Sequence, residues 1–225
     1  MSQTDKGDPH AAGRVCATGE PLASARAAMV MIHGRGATAE SILELVPALA
    51  VERVAYLAPQ ASGGTWYPYG FMSPIPQNEP GISSAMAVIS RVLAQVAAAG
   101  IPPERTLLLG FSQGACLASE YVARHARRFG GLAVLSGGLI GPSGTPRDYA
   151  GTLDGTPVFL GCSDVDAHIP EARVRETAAL LERLGGTVDL RIYPGMPHTV
   201  NEEEIDAVHA MLAAVAARPT ARPPT

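Results

Sequence analysis

The stretch Thr106-Leu107-Leu108-Leu109-Gly110-Phe111-Ser112-Gln113-Gly114-Ala115-Cys116 organises the whole chain. Residues 106–109 form an apolar run with the length and character of a strand buried on both faces. The run stops at Gly110, and small, helix-permissive residues follow Gln113. Between them sits Gly-x-Ser-x-Gly, the pattern of a nucleophile elbow. Its physical demand is steric. Ser112 must occupy a sharp turn with strained backbone angles, so that its hydroxyl stands clear of the sheet. Gly110 and Gly114 let strand and helix approach that turn closely. A glycine-rich turn with an ordinary capping serine has the same local appearance, so the rest of the chain decides between the two.

The chain has 225 residues, enough for one well-buried domain. It is 47% hydrophobic and 17% charged, a globular composition rather than a disordered or fibrous one. The formal net charge of -4 argues against nucleic-acid binding. The densest basic group, Arg124, Arg127 and Arg128, falls near the end of a predicted helix, where cations suit the dipole. Three cysteines, Cys16, Cys116 and Cys162, cannot all pair, and no Cys/His cluster suggests a metal, so a reducing cytoplasm is expected. Residues 1–13 are polar and lack the apolar core of a signal peptide; they are expected to be a disordered lead. No apolar run is expected to reach membrane-spanning length.

Strand patterns and helix patterns alternate outward from the elbow. An apolar run over 27–32 enters the glycine-rich loop His33-Gly34-Arg35-Gly36. A helix is predicted over 39–49, capped by Thr38, with Ile42, Leu45, Val46 and Leu49 at helical spacing. A strand over 53–58 leads into a long segment, 59–80, dense in Pro, Gly and aromatics and holding the only Trp. Its aromatic content argues against disorder, so a functional loop is expected. A helix opened by Ser83 or Ser84 runs to about residue 99. After the elbow helix come strands over 131–135, 158–162 and 188–193, and helices over 171–184 and after Asn201, which pairs with Glu204 as a capping box. A short edge strand near Val15 is also predicted. The alternation implies one α/β domain over 14–217, a mostly parallel sheet with helices on both faces, followed by a frayed tail over 218–225.

In such a sheet, functional groups collect at the carboxyl ends of strands. Those ends carry Ser112, then Asp164 and Asp166, then His198, in the order nucleophile, acid, base. The residues alone do not choose between Asp164 and Asp166, which follow the same strand. Among the six histidines, His10 lies in the lead, and His125 and His209 lie on helices. His33 suits a structural hydrogen bond beside its loop, and His168 sits beside the acid, one motif too early. His198 is therefore the preferred base.

Four motifs in this order resemble the carboxylesterase, lysophospholipase and acyl-protein thioesterase family of small α/β-hydrolases. They are Gly110–Gly114 as Gly-Phe-Ser-Gln-Gly, His33–Gly36 as His-Gly-x-Gly, Asp166-Ala167-His168-Ile169-Pro170, and Gly195-Met196-Pro197-His198. The resemblance spans residues 27–216. It departs at Ala167, where the family usually has proline, a change expected to loosen that loop slightly. The segment 59–80 is similar to a bacterial branch of the family.

The resemblance implies an α/β-hydrolase without a large cap domain, and selects Asp166 over Asp164. It implies a Ser112–His198–Asp166 triad, with the backbone N–H groups of Arg35 and Gln113 forming the oxyanion hole. The Arg35 side chain is expected to be solvated. Trp66, Tyr67, Phe71, Met72 and Ile75 are candidates for a substrate-pocket wall, or else a satellite core under the long loop. The implied activity is hydrolysis of small carboxylic esters, with no metal or cofactor. Lysophospholipids, acyl-thioesters or lactones are alternative substrates for the same triad, and a non-catalytic small-molecule sensor on this fold is a further alternative. A homodimer is implied by the resemblance alone.

Overall fold

A computed structural model describes residues 7–218. Among these residues, seven strands form one sheet in the order β1-β3-β2-β4-β5-β6-β7. They are β1 (Val15–Gly19), β2 (Ala27–Ile32), β3 (Val54–Pro59), β4 (Thr106–Phe111), β5 (Gly131–Leu135), β6 (Pro157–Ser163) and β7 (Thr187–Tyr193). Only β1 runs antiparallel, along β3; all other neighbours are parallel. This is the α/β-hydrolase sheet, and among the described residues no large cap domain covers it. The period of two along each strand explains why central strands read as unbroken apolar runs. Ala28, Val30 and Ile32 enter the core on one face, and Ala27, Met29 and Met31 enter that on the other.

Helices α3 (Gly81–Ala98), α4 (Gln113–Arg124) and α5 (Glu171–Arg183) cover the first face. Helices α1 (Ala39–Leu43), α2 (Val46–Leu49) and α6 (Glu202–Ala216) cover the second. The predicted helix over 39–49 is thus two short ones. Pro47 has no N–H to give the carbonyl four residues back, and its ring crowds that turn. Helix α3 begins at Gly81, before the predicted serines. The Glu79 carboxylate accepts from the Ser83 N–H at 3.0 Å and takes the capping role from outside the helix.

Two further expectations are corrected. Helix α3 has 18 residues and mean hydropathy 1.4, so one apolar run does reach spanning length. Its apolar excess faces the core: Ile82, Ile89, Val92 and Val96 are buried against the sheet. The lead is also more structured than its composition suggests. Residues 1–6 lie outside the described residues, but His10 is 2% exposed. Its Nε2 donates to the Trp66 carbonyl at 2.9 Å, and its Nδ1 accepts from the Ser62 N–H at 3.0 Å. A composition rule cannot anticipate a polar strap whose single imidazole is satisfied at both nitrogens. In the tail, residues 219–225 lie outside the described residues.

Candidate active site

Ser112 has φ 55° and ψ -119°, a conformation that costs a non-glycine residue ~1–3 kcal/mol and must be held by its surroundings. The Ser112 N–H donates to the Leu135 carbonyl at 3.0 Å, tying the turn to β5, and the Ser112 carbonyl accepts from Cys116 at 3.0 Å inside α4. The flanking glycines are required by contact. A Cβ on Gly110 would strike the Gly114 carbonyl, and one on Gly114 would strike the Ile32 carbonyl at the end of β2. The elbow is therefore wedged between β4, α4 and β2, and the serine projects from the carboxyl edge.

The loop after β2 lies against it. A Cβ on Gly34 would come 3.4 Å from the Ser112 Cβ. Among the described residues, neither the Arg35 N–H nor the Gln113 N–H has a hydrogen-bond acceptor. Two unspent backbone donors thus flank the serine. His33 sits behind this loop, fully buried. Its Nδ1 donates to the Gly34 carbonyl at 2.7 Å and its Nε2 accepts from the Ala61 N–H at 3.1 Å. Burial lowers its pKa, which suits a neutral ring satisfied on both sides.

Asp166 and His198 reach the same edge from β6 and β7. His198 Nδ1 lies 2.6 Å from Asp166 Oδ2. The other carboxylate oxygen accepts from the His168 N–H at 2.8 Å and the Ile169 N–H at 3.0 Å. Burial opposes the Asp166 charge, but the His198 bond and the two backbone donors outweigh it, and the pKa lies below the usual carboxylate value. A carboxylate so held fixes the tautomer with Nδ1 protonated, leaving Nε2 free. The His198 ring is packed between Phe111 and His168, with centroids 4.9 Å from each. Asp164 does something else: its Oδ1 accepts from the Gly195 N–H at 2.8 Å, anchoring the loop that carries His198.

Ser112 and His198 line one cavity of about 370 Å³, with Gly34, Arg35, Gln113, Tyr67, Phe71, Phe111, Cys116, His168 and Ile169 among its walls. Of the predicted pocket residues, Tyr67 and Phe71 are in this wall. Trp66 is not: it is fully buried behind it, and its Nε1 donates to the His33 carbonyl at 2.9 Å. Ile75 packs on the core, half-buried, and Met72 is half-buried outside the lining. The long segment is thus partly wall and partly satellite core.

Several working residues were not anticipated. The Arg35 side chain is not merely solvated. It donates to Thr65 Oγ1, to the Pro68 carbonyl, and to the Tyr67 and Tyr69 carbonyls, at 3.0, 2.9, 2.9 and 2.6 Å. The Gln113 side chain holds the same strip from the other side. Its Oε1 accepts from the Trp66 N–H at 3.0 Å and its Nε2 donates to the Tyr67 carbonyl at 2.9 Å. Nothing in the sequence pairs residues 35 and 113 with residues 65–69. The chemistry of a fork-shaped donor and an amide was the only available signal. The buried thiols of Cys116 and Cys162 are both pushed up to about 12 by burial, so neither is a nucleophile at neutral pH.

The model of a family described as phospholipase/carboxylesterase matches residues 15–216. A crystal structure of a phospholipase/carboxylesterase from Dyadobacter fermentans superposes with a TM-score of 0.86 at 42% identity, covering 89% of this chain and 96% of that one. An acyl-protein thioesterase 1 from Gibberella zeae is 33% identical over 139 residues, 60% of this chain, and the match spans 59% of that relative. A probable carboxylesterase from Oryza sativa is 26% identical, over 61% of this chain and 52% of its own length. An acyl-protein thioesterase 1 from Debaryomyces hansenii is 28% identical across 85% of this chain and 91% of its own.

Proposed function

From the premise that this chain belongs to the phospholipase/carboxylesterase family of α/β-hydrolases, we propose that it is a serine carboxylesterase acting on small, short- to medium-chain esters. The observation that carries this reading is the 2.6 Å contact between the buried Asp166 carboxylate and His198, which lines the same cavity as Ser112.

The chemistry follows from what acyl transfer requires. Ser112 Oγ adds to the ester carbonyl carbon while His198 Nε2 takes its proton. The carbonyl oxygen becomes an oxyanion, which accepts hydrogen bonds from the Arg35 and Gln113 N–H groups; losing one such donor costs about 3 kcal/mol of barrier. The tetrahedral centre collapses, the proton passes from His198 to the departing alkoxide, and an acyl-Ser112 ester remains. Water repeats the sequence: His198 takes its proton, the acid leaves, and Ser112 recovers its hydrogen. Asp166 stays ionised throughout and stabilises the imidazolium. None of these steps uses a metal or a cofactor.

The names of two relatives favour a second reading, in which the same triad cleaves acyl-thioesters. A chain-length and leaving-group series from acetyl to palmitoyl, as oxygen and sulfur esters, separates the two. Three unpaired cysteines among the described residues support a reducing, cytoplasmic location. Homodimerisation rests on family resemblance and is checked by light scattering. The decisive experiment is Ser112→Ala: hydrolysis of p-nitrophenyl butyrate disappears while the thermal midpoint is retained. Turnover that survives in that variant sinks the proposal, and absent labelling of the native chain by a fluorophosphonate favours a non-catalytic binding protein.

A further inference from the structure

The polar groups around the cavity are nearly all spent. Gln113 and Arg35 give their side chains to the 65–69 strip, Asp166 is saturated by the His198 ring, two backbone N–H groups and the Cys162 thiol, and His33 is satisfied at both nitrogens. Apart from the groups given to the reaction and the exposed His168 ring, one fixed group in the wall is not. Tyr67 is 1% exposed, and its hydroxyl is buried with no hydrogen-bond partner. It lies beside the Cys116 thiol, and both residues line the cavity that contains Ser112. Of the remaining walls, Phe71, Phe111 and Ile169 are apolar, and the His168 ring is exposed and packs edge-on against His198. The phenol cannot ionise to relieve itself, because burial holds its pKa well above the usual tyrosine value. It remains a neutral, fixed hydroxyl without a partner, beside the apolar side chains of Phe71, Phe111 and Ile169.

We propose that Tyr67 is a specificity-determining residue whose hydroxyl bonds an oxygen on the acyl chain, so that the preferred substrates are esters of short keto or hydroxy acids rather than of plain alkanoic acids. This rests on the esterase reading above. The physical basis is asymmetric. A plain alkyl chain leaves the hydroxyl as unpartnered as it already is, whereas a chain oxygen that reaches it satisfies it. A buried donor left unsatisfied separates two ligands by roughly 10- to 100-fold. The cysteine does not substitute for the oxygen, since a thiol is a weak partner in either direction.

The test uses two matched pairs of p-nitrophenyl esters, pentanoate with 4-oxopentanoate and hexanoate with 5-oxohexanoate, on the native enzyme and Tyr67→Phe. The ratio of kcat/KM within a pair is read in both proteins, so intrinsic ester reactivity cancels between them. In at least one pair the native enzyme favours the keto ester by ~10-fold or more over the ratio in Tyr67→Phe. The variant removes one oxygen that has no partner, so its thermal midpoint is expected to equal or exceed that of the native chain, which shows that a lost preference is not lost folding. Turnover of both members with the same ratio in both proteins overturns this proposal and leaves the esterase reading standing. Inert esters together with an unlabelled Ser112 overturn both.

Discussion

The Gln113 side chain holds the Trp66 backbone, with Oε1 3.0 Å from the Trp66 N–H, and in the same grip its Nε2 reaches the Tyr67 carbonyl at 2.9 Å. One residue thus has two separable functions in the proposed site. Its N–H flanks Ser112, and its amide clamps the strip that forms one pocket wall. Truncation to Gln113→Ala leaves the N–H in place and removes the clamp. Because small misplacements of a pocket wall cost up to about 100-fold, kcat/KM on p-nitrophenyl butyrate is expected to fall ~10- to 100-fold. The fluorophosphonate label at Ser112 is expected to persist. A native kcat/KM in that variant shows that the clamp does not matter to turnover.

Arg35 holds the same strip from outside through four acceptors spread over residues 65–69. A planar fork with several fixed N–H vectors can reach them together, while an ammonium on a flexible stem cannot. Arg35→Lys is therefore expected to behave more like Arg35→Ala than charge conservation suggests. Both are expected to lower kcat/KM by about tenfold and to speed limited proteolysis within residues 62–72. Lysine restoring native activity and protease resistance indicates that charge alone suffices.

How much of this was legible before the structure depends on the range of each interaction. The strands, the elbow and the order serine, aspartate, histidine are local patterns, with the choice of Asp166 over Asp164 coming from the family resemblance, and buried parallel strands write themselves as apolar runs such as 27–32 and 106–109. Features that join distant residues left no such trace. His10 reads as part of a polar lead until its two nitrogens meet Trp66 and Ser62 across more than fifty residues. Arg35 reads as a solvated cation until four carbonyl and hydroxyl oxygens surround it. Helix 39–49 was overextended for the opposite reason: its apolar spacing is correct, but Pro47 carries a backbone constraint that spacing does not register.

The two aspartates after β6 separate cleanly by partner. Asp166 accepts from the His198 ring, and Asp164 accepts from the Gly195 N–H. In Asp166→Asn the amide can present an N–H to Nδ1 and stabilise the wrong tautomer, so kcat is expected to drop by about 10⁴. In Asp164→Ala the His198 loop loses one anchor and keeps its ring partner, and a loss of about tenfold or less is expected. Steady-state kinetics on one ester decide it. Equal losses, or a larger loss at Asp164, would reverse the assignment of the acid.

Glu204 supplies the clearest pH signature. Its side chain is fully buried at the start of α6, where Oε2 accepts from the Asn201 N–H at 2.9 Å while Oε1 has no partner. Burial is the dominant cause that raises its pKa to about 7, against 4.5 for an ordinary glutamate. The native state therefore holds this proton more tightly than the unfolded chain does. Stability from that proton is fully present below pH 4.5 and is lost as pH rises through about 7, a change of roughly 3 kcal/mol at most. His33 works in the other direction: its lowered pKa makes the unfolded chain the better proton acceptor, so it adds stability as pH rises through 6.5. The two slopes oppose each other in the native protein, and a variant must separate them. Glu204→Gln keeps an oxygen for Asn201 and cannot ionise. Its thermal midpoint is expected to gain on that of the native chain from pH 5 to about pH 7 and then hold level to pH 8, leaving the His33 rise below 6.5 exposed. Differential scanning calorimetry at fixed ionic strength measures the gap, and parallel curves across that range would show that Glu204 does not titrate on folding.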